Sequence, residues 1–210
     1  MVQQESEGTA RIEEKLRGRK PCLLDYDRYQ RSAVLLSLVR WEGQLCLLFE
    51  VRALHMRRQP GEICFPGGRI NPEDPSEADA AVRETCEELG LSPLDIRLLG
   101  PLDRVVTPSS SIVYPFVGEI ADASLIHPQA EEVAEVFYVP LSQLLAQEPI
   151  SHPVHVRSFP PDDFPYSLVP GGRNYAWRSS QVTHYFYRYE GRVIWGLTAR
   201  ILHHFLELVR

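Results

Sequence analysis

A chain of 210 residues with 44% apolar content is long enough to bury one sizeable core, and its composition does not suggest disorder beyond the first residues. The formal net charge of −6 argues against generic nucleic-acid binding. No run approaches the roughly 18 apolar residues of a membrane span, Met1 to Gly8 is polar without an apolar core, and Leu208-Val209-Arg210 carries no obvious address, so a cytoplasmic protein with neither membrane nor nucleic-acid partners is expected.

Residues 1–20 read as a tail with a short helix from Ala10 to Leu16 and a break at Lys20-Pro21, and residues 21–210 as a single domain without internal repeats. Ser32 to Val39 and Leu45 to Val51 read as strands around a Glu42-Gly43 turn, and Ile63 to Phe65 as a short strand. A helix rich in glutamate follows, then strands near Asp95 to Leu99, Ile112 to Gly118 and Glu135 to Val139, and a short helix from Leu141 to Ala146 after Pro140. Proline and aspartate from Phe159 to Phe164, with Pro170-Gly171-Gly172, predict a long irregular connection, either a lid or a surface loop. Gln181 to Tyr189 alternates as a strand, and Gly196 to Val209 carries the apolar stripe of a final helix whose His203 and His204 read as surface or packing residues. Cys22, Cys46, Cys64 and Cys86 are widely spaced among mostly apolar neighbours and read as reduced packing residues rather than zinc ligands.

The glutamate helix carries the chemistry. Ser76 with Asp79 three residues on resembles a capping box, Asp74-Pro75 offers a competing cap, and Gly90 supplies the stop. At 3.6 residues per turn, Glu84, Glu87 and Glu88 fall within an arc of about 100°. Ala78, Ala81, Val82, Thr85 and Leu89 form the apolar stripe, which predicts that the acidic face points outward. Like charges at i,i+4 cost roughly 0.2–0.5 kcal/mol, and negative charge in a last turn opposes the helix dipole by roughly 0.3–1 kcal/mol. A hard divalent cation held by oxygen ligands would offset both; for three glutamates alone, a solvated acidic face is the alternative. Arg83, four residues before Glu87, is placed to pair with it, leaving Glu84 and Glu88 as the freer pair. Just upstream, Phe65-Pro66-Gly67-Gly68 can bring backbone close to a ligand, and Arg52, Arg57, Arg58 and Arg69 concentrate positive charge ahead of the acidic helix.

Arg83-Glu84-Thr85-Cys86-Glu87-Glu88-Leu89-Gly90-Leu91 resembles the tail of the Nudix box, R-E-U-x-E-E-x-G-U with U apolar; Thr85 stands at an apolar position. The first half departs: Gly68 to Arg83 is one residue longer than the usual spacing, and Pro75 stands where the box has a glutamate, with Glu73 or Asp74 as the nearest acidic substitute. The longer spacing is common in the coenzyme A pyrophosphatase branch, whose upstream pattern L-T-x-R-S-x-x-L-R-x-H-x-G-Q-I-x-F-P-G-G resembles residues 49–68 without a gap. Arg52, Arg57, Gly61, Ile63 and Phe65 to Gly68 match; Ala53, Gln59 and Glu62 replace Ser, His and Gln, where substrate would be read. Residues 106–110, 132–141 and 194–199 are also similar to that branch.

The resemblance implies an α/β (α+β) chain folded as a Nudix-type α/β/α sandwich with a mixed sheet. It implies Mg²⁺ or Mn²⁺ as cofactor, with Glu84 and Glu88 as ligands, Glu87 as ligand or second support, and Arg83 orienting them. Arg52, Arg57, Arg69, Gly67 and Gly68 would meet the substrate. In the family the general base is sometimes a glutamate of the box and sometimes one from a later loop, for which Glu131, Glu132 and Glu135 are the candidates outside the box. The implied reaction hydrolyses coenzyme A or acyl-CoA to 3′,5′-ADP and (acyl-)4′-phosphopantetheine. Alternatives are the same chemistry on ADP-ribose or another nucleoside diphosphate derivative, and a nucleotide-binding module without turnover. A monomer and a homodimer both remain open.

Overall fold

The computed structural model describes residues 2–210, with side chains described from Thr9 onward. Its elements in chain order are α1 Val2–Leu16, β1 Gln30–Trp41, β2 Gln44–Arg52, β3 Ile63–Cys64, β4 Gly67–Arg69, α2 Glu77–Leu89, β5 Ile96–Pro101, β6 Val105–Val106, β7 Ser111–Ile120, β8 Val133–Pro140, α3 Leu141–Ala146, β9 Ile150–Val156, β10 Ser180–Tyr189, β11 Arg192–Ile194 and α4 Gly196–Val209. The expected short helix at Ala10 begins earlier, at Val2, and its residues from Thr9 to Leu16 are all exposed. The expected polar tail Met1 to Gly8 has its side chains, and Met1 also its backbone, outside the described residues.

β1 and β2 form a hairpin in which Trp41 faces Gln44. Its two central residues, Glu42 at φ 48° and Gly43 at φ 77°, both have the positive φ that matches a tight turn to the strand twist. β1 is long enough to serve three partners: its end pairs with β2, its start pairs antiparallel with β4, and its other edge runs parallel to β7 from Gln30 opposite Ser111 to Leu38 opposite Glu119. β8 and β3 flank β2, and β5 and β6 flank β7, all antiparallel, so the sheet is mixed. β9, β10 and β11 make a separate three-stranded sheet.

Period-two alternation sends β1 and β2 side chains into two cores. Leu36, Leu38, Leu47 and Phe49 pack with Leu202, Phe205 and Leu206 of α4, and with Tyr187 and Ile194 of the small sheet. Ala33, Leu35, Val39, Cys46 and Leu48 pack on the opposite face with Ala80, Ala81 and Leu89 of α2. The sheet thus lies between α2 and α4, the layered arrangement expected.

α2 begins where Ser76 Oγ accepts the Asp79 amide at 3.2 Å. It ends where Gly90 adopts φ 67° and its N–H donates to the Cys86 carbonyl. Asp74 does not cap; it accepts from the Asn71 amide and from Arg83. The exit is fixed by a second contact, because the His127 amide donates to the Leu89 carbonyl at 2.8 Å and His127 O lies 2.6 Å from where a Gly90 Cβ would stand. Gly90→Ala therefore combines left-handed strain with a backbone clash. We expect it to lower unfolding stability by about 1–3 kcal/mol, read as a drop in the urea midpoint; an unchanged midpoint would show that the 127–132 segment shifts freely.

Candidate active site

Strand β4 runs tightly between β1 and the glutamates of α2. A Cβ on Gly67 would lie 2.3 Å from the Ala33 carbonyl oxygen, and one on Gly68 would lie 2.2 Å from Glu84 Oε2. In this narrow gap the Gly67 amide donates to Glu88 Oε2 at 2.7 Å. The segment after β7 closes the other side, where the Gln129 amide donates to the Glu88 carbonyl and the Ala53 amide to the Glu132 carbonyl, each at 2.8 Å.

The acidic face is consequently not outward. Glu88 is 4% exposed and the Glu84 side chain 16% exposed, and of the three only Glu87 reaches solvent, at 60%. A wheel built on α2 alone assigns the apolar stripe to the core and the carboxylates to water; here β4 and the 127–132 segment cover the carboxylates as well. Burial pushes the Glu88 carboxyl up to about 9, with the neighbouring Glu50 adding repulsion. Glu84 is raised too, chiefly by burial and against the pull of Arg83.

Arg83 holds more than the expected Glu87. Its guanidinium forks onto Asp74 at 2.8 and 3.0 Å, reaches Glu84 at 2.9 Å and Glu87 at 3.0 Å, and donates to the Arg69 carbonyl at 3.1 Å. Asp74 takes the larger share, and its carboxyl is held below the usual range by that bond. Arg83 thereby ties the loop before α2 to the helix and to β4, and neither Glu84 nor Glu87 is free of it.

A carboxylate that the sequence patterns did not flag joins the cluster. Glu50 of β2 is 1% exposed, and burial pushes its carboxyl up to about 7. Cys64 Sγ donates to Glu50 Oε1 at 3.1 Å, while Glu50 Oε2 is buried with no hydrogen-bond partner among the described residues. Cys64 is thus a partner to a carboxylate rather than an inert packing residue. The alternation Cys46, Leu48, Glu50 on the α2 side of β2 was the available signal.

Beside the carboxylates opens a cavity of about 350 Å³ whose walls include Arg52, Arg58, Arg69, Gly67, Gly68 and Cys64. Gln59 and Glu62 also line it, joined by a bond from Gln59 Nε2 to Glu62 Oε2 of 2.8 Å. Arg52 Nε is buried without a partner among the described residues. Arg57, grouped with these arginines by sequence, is exposed and lies outside the lining. Of the outlying acidic candidates, Glu132 adds its negative field to Glu50, Glu84 and Glu88, whereas Glu135 is paired with Arg192. His203 accepts or donates a 2.8 Å bond with Tyr187 and stacks on Tyr185, as a packing residue would.

The chemistry of the donor set suits a hard divalent cation. It offers carboxylate oxygens only, two of them on nearly buried groups, one buried oxygen without a partner, and a glycine-lined wall against Glu84. Among the described residues no three acidic, histidine or cysteine side chains are already drawn together at ion-holding spacing.

A mixed sheet between helices, with a glutamate-bearing helix set against a glycine strand and an arginine-lined cavity, defines a Nudix-type hydrolase. The chain belongs to the Nudix family: the NUDIX domain matches residues 28–161. It is 40% identical over 115 residues to the mouse peroxisomal coenzyme A diphosphatase NUDT7, covering 55% of this chain and 49% of that protein. With the uncharacterized Nudix hydrolase NudL of Enterobacter sp. (strain 638) it shares 35% identity over 82% of this chain and 79% of the relative. Among solved structures it resembles the Mycobacterium smegmatis Nudix hydrolase RenU, with a TM-score of 0.46 and 21% identity over 54% of this chain and 72% of that one. No helix among the described residues is long and apolar enough to cross a membrane.

The buried carboxyls predict how stability depends on pH when no cation is bound. Glu50 and Glu88 have folded pKa values raised above the ordinary carboxylate value, so the folded state binds more protons than the unfolded one above about pH 4.5, and stability falls as pH rises. In chelator, the urea midpoint should decrease steadily between pH 5 and pH 9, and Glu88→Gln should flatten that slope. A midpoint that rises over this interval would mean the two carboxyls are not held neutral.

Proposed function

We propose that this Nudix hydrolase cleaves a nucleoside diphosphate linkage, with coenzyme A or an acyl-CoA as substrate and 3′,5′-ADP and (acyl-)4′-phosphopantetheine as products. The observation that carries the reading is the juxtaposition of Glu84 and Glu88 against Gly67-Gly68 at the edge of an arginine-lined cavity. The coenzyme A assignment is supported by the similarity to the mouse diphosphatase and by the upstream pattern at residues 49–68.

Glu84 and Glu88 would hold Mg²⁺ or Mn²⁺, with Glu87 as a further ligand or outer support. When bound, such an ion neutralises diphosphate charge and lowers the pKa of a bound water. The remaining work falls to the chain. Arg83 limits the rotation of Glu84 and Glu87 and keeps α2 tied to Asp74. Arg52 and Arg69 face the cavity, where guanidinium groups match phosphate oxygens in pairs and lessen the repulsion an incoming water meets. Glu132, whose field already reaches the helix glutamates, takes the proton from the attacking water. One P–O bond to water forms as the bridging P–O bond breaks, and positioning and electrostatics supply the rate without a covalent intermediate. Residues 21–210 act as one catalytic domain, and the cytoplasm is the proposed location; the mouse relative is named as peroxisomal.

Glu84→Gln and Glu88→Gln keep shape and remove charge. Each should lower kcat by roughly 10²-fold or more while circular dichroism stays unchanged, and wild-type turnover should stop in chelator and return with excess Mg²⁺ or Mn²⁺. Near-normal rates in both variants would mean that the helix carries ordinary acidic charge.

Substrate choice is tested separately. Coenzyme A carries a 3′-phosphate that 3′-dephospho-CoA lacks, and Arg52, with a buried unpartnered Nε in the cavity wall, is a better candidate to meet it than the outlying Arg57. We expect a higher kcat/KM for coenzyme A than for 3′-dephospho-CoA, and Arg52→Ala should narrow that preference by about 1.5–3 kcal/mol, the scale of a charged hydrogen bond. Equal efficiency on both compounds in the wild type would favour ADP-ribose or another nucleoside diphosphate derivative.

A further inference from the structure

Glu50 has no role in the reaction described above, yet among the described residues it is the most completely buried of the acidic side chains. It lies mid-strand on β2, opposite Cys64 on one side and Val136 on the other. The alternation that puts Leu47 and Phe49 in the α4-side core turns Cys46, Leu48 and Glu50 toward α2. β3 leads from Cys64 through two residues to Gly67, whose amide holds Glu88. Glu50 and Glu88 therefore approach the same gap from sheet and helix, and Glu50 is the largest source of charge repulsion acting on Glu88.

As a purely structural residue Glu50 is badly placed. One oxygen has only a thiol donor, a weak one, and the other has no partner among the described residues. Arg52 stands two residues on and also has an unpartnered Nε, but no ion pair joins the two. A half-buried arginine with one buried, unpartnered nitrogen lines the cavity, and a fully buried glutamate with one unpartnered oxygen lies within the field of the helix carboxylates. A buried polar group left unpaired in a native fold calls for an explanation, and a bound ion is one of the few that fits a carboxylate among carboxylates.

We infer that Glu50 is a further oxygen ligand of the divalent-cation site, supplied by the sheet to complement Glu84 and Glu88 of α2. The inference rests on the metal reading of those two helix residues. A ligand from β2 would tie the ion to a strand paired on both edges, and charge count among carboxylate ligands is a main determinant of affinity for hard cations. Burial and Glu50 itself push the Cys64 thiol up, and it donates to Glu50 Oε1, which leaves Oε2 as the oxygen that could meet an ion.

The test is a Mn²⁺ titration of the metal-stripped full chain, with free Mn²⁺ read by electron paramagnetic resonance and the Mn²⁺-induced rise in Tm as a second readout. Glu50→Gln and Glu50→Thr, the latter a β-branched residue suited to a strand, should each weaken Mn²⁺ binding by about tenfold or more and reduce the rise in Tm. Glu50→Asp keeps the charge but draws the oxygens back by one methylene, and should weaken binding comparably. Cys64→Ala leaves the carboxylate and its charge in place and removes only a weak donor to it, so it should weaken binding less than Glu50→Gln or Glu50→Thr. Wild-type affinity in the Thr or Gln variant overturns the inference, and so does full affinity in Glu50→Asp, which would make Glu50 a distant charge and not a ligand. If Glu50→Gln fails to fold, the Thr and Asp variants decide the matter. Glu84→Gln and Glu88→Gln, titrated alongside, separate the two claims: unchanged affinity there removes the helix site itself, whereas unchanged affinity confined to the Glu50 variants removes only this inference.

Discussion

The arrangement depends on β4 running close between β1 and the carboxylates of α2, where its two glycines leave no room for side chains. Gly67 lies against the Ala33 carbonyl and Gly68 against the Glu84 carboxylate. Because the backbone itself lies in the gap, its amide is free to bind Glu88, and the carboxylates are brought out of water by a strand instead of by apolar side chains. Widening the gap by one methyl group would remove both effects. The close approach also determines what lies on the other side of β4, for the same two glycines form part of the cavity wall.

Burying three carboxylates is costly unless opposite charge is supplied. Arg83 supplies it at one end of the cluster only. Its guanidinium distributes five hydrogen bonds over Asp74, Glu84, Glu87 and the Arg69 carbonyl, which fixes the outer rim, while Glu88 and Glu50 lie deeper and receive one amide and one thiol. The carboxyls are thus paired with a guanidinium outside and left without one inside. Such a gradient suits a site whose inner end is completed by a cation, and the arginines of the cavity wall then face the anionic partner that the ion would share.

The helices were the most legible part of the sequence, since their limits are chemical. Ser76 and Gly90 bound α2, Pro140 precedes α3, and Gly196 opens α4, each where expected. The hairpin of β1 and β2 was equally legible from Glu42-Gly43. β9 was not, because Ser151-His152-Pro153-Val154-His155 shows no alternation, its residues are almost all exposed, and Pro153 offers no amide to the ladder. β4 was illegible for a related reason: Gly67-Gly68-Arg69 has no strand propensity, and its extended form is imposed by pairing with Ser32 to Val34. The extent of the parallel pairing of β1 with β7 depends on residues some eighty positions apart and leaves no local trace.

The candidate site divides the same way. Glu84, Glu88, Glu87 and Arg83 stand out because helix periodicity places them together, and Arg52, Arg69, Gly67 and Gly68 because a family pattern does; Arg57 fits that pattern and yet lies outside the cavity, since neighbours in an irregular loop need not share a surface. Glu50 had neither kind of signal. It occupies one position in a run of apolar strand residues, Leu45 to Val51, that reads as core on both faces. A charged residue inside such a run conflicts with its surroundings at the level of local pattern, and the conflict persists in three dimensions as an unpaired oxygen. Natural sequences concentrate such conflicts at functional positions. Here the acidic last turn of α2, the glycine strand and the strand glutamate are each locally unfavourable, and all three converge on one gap.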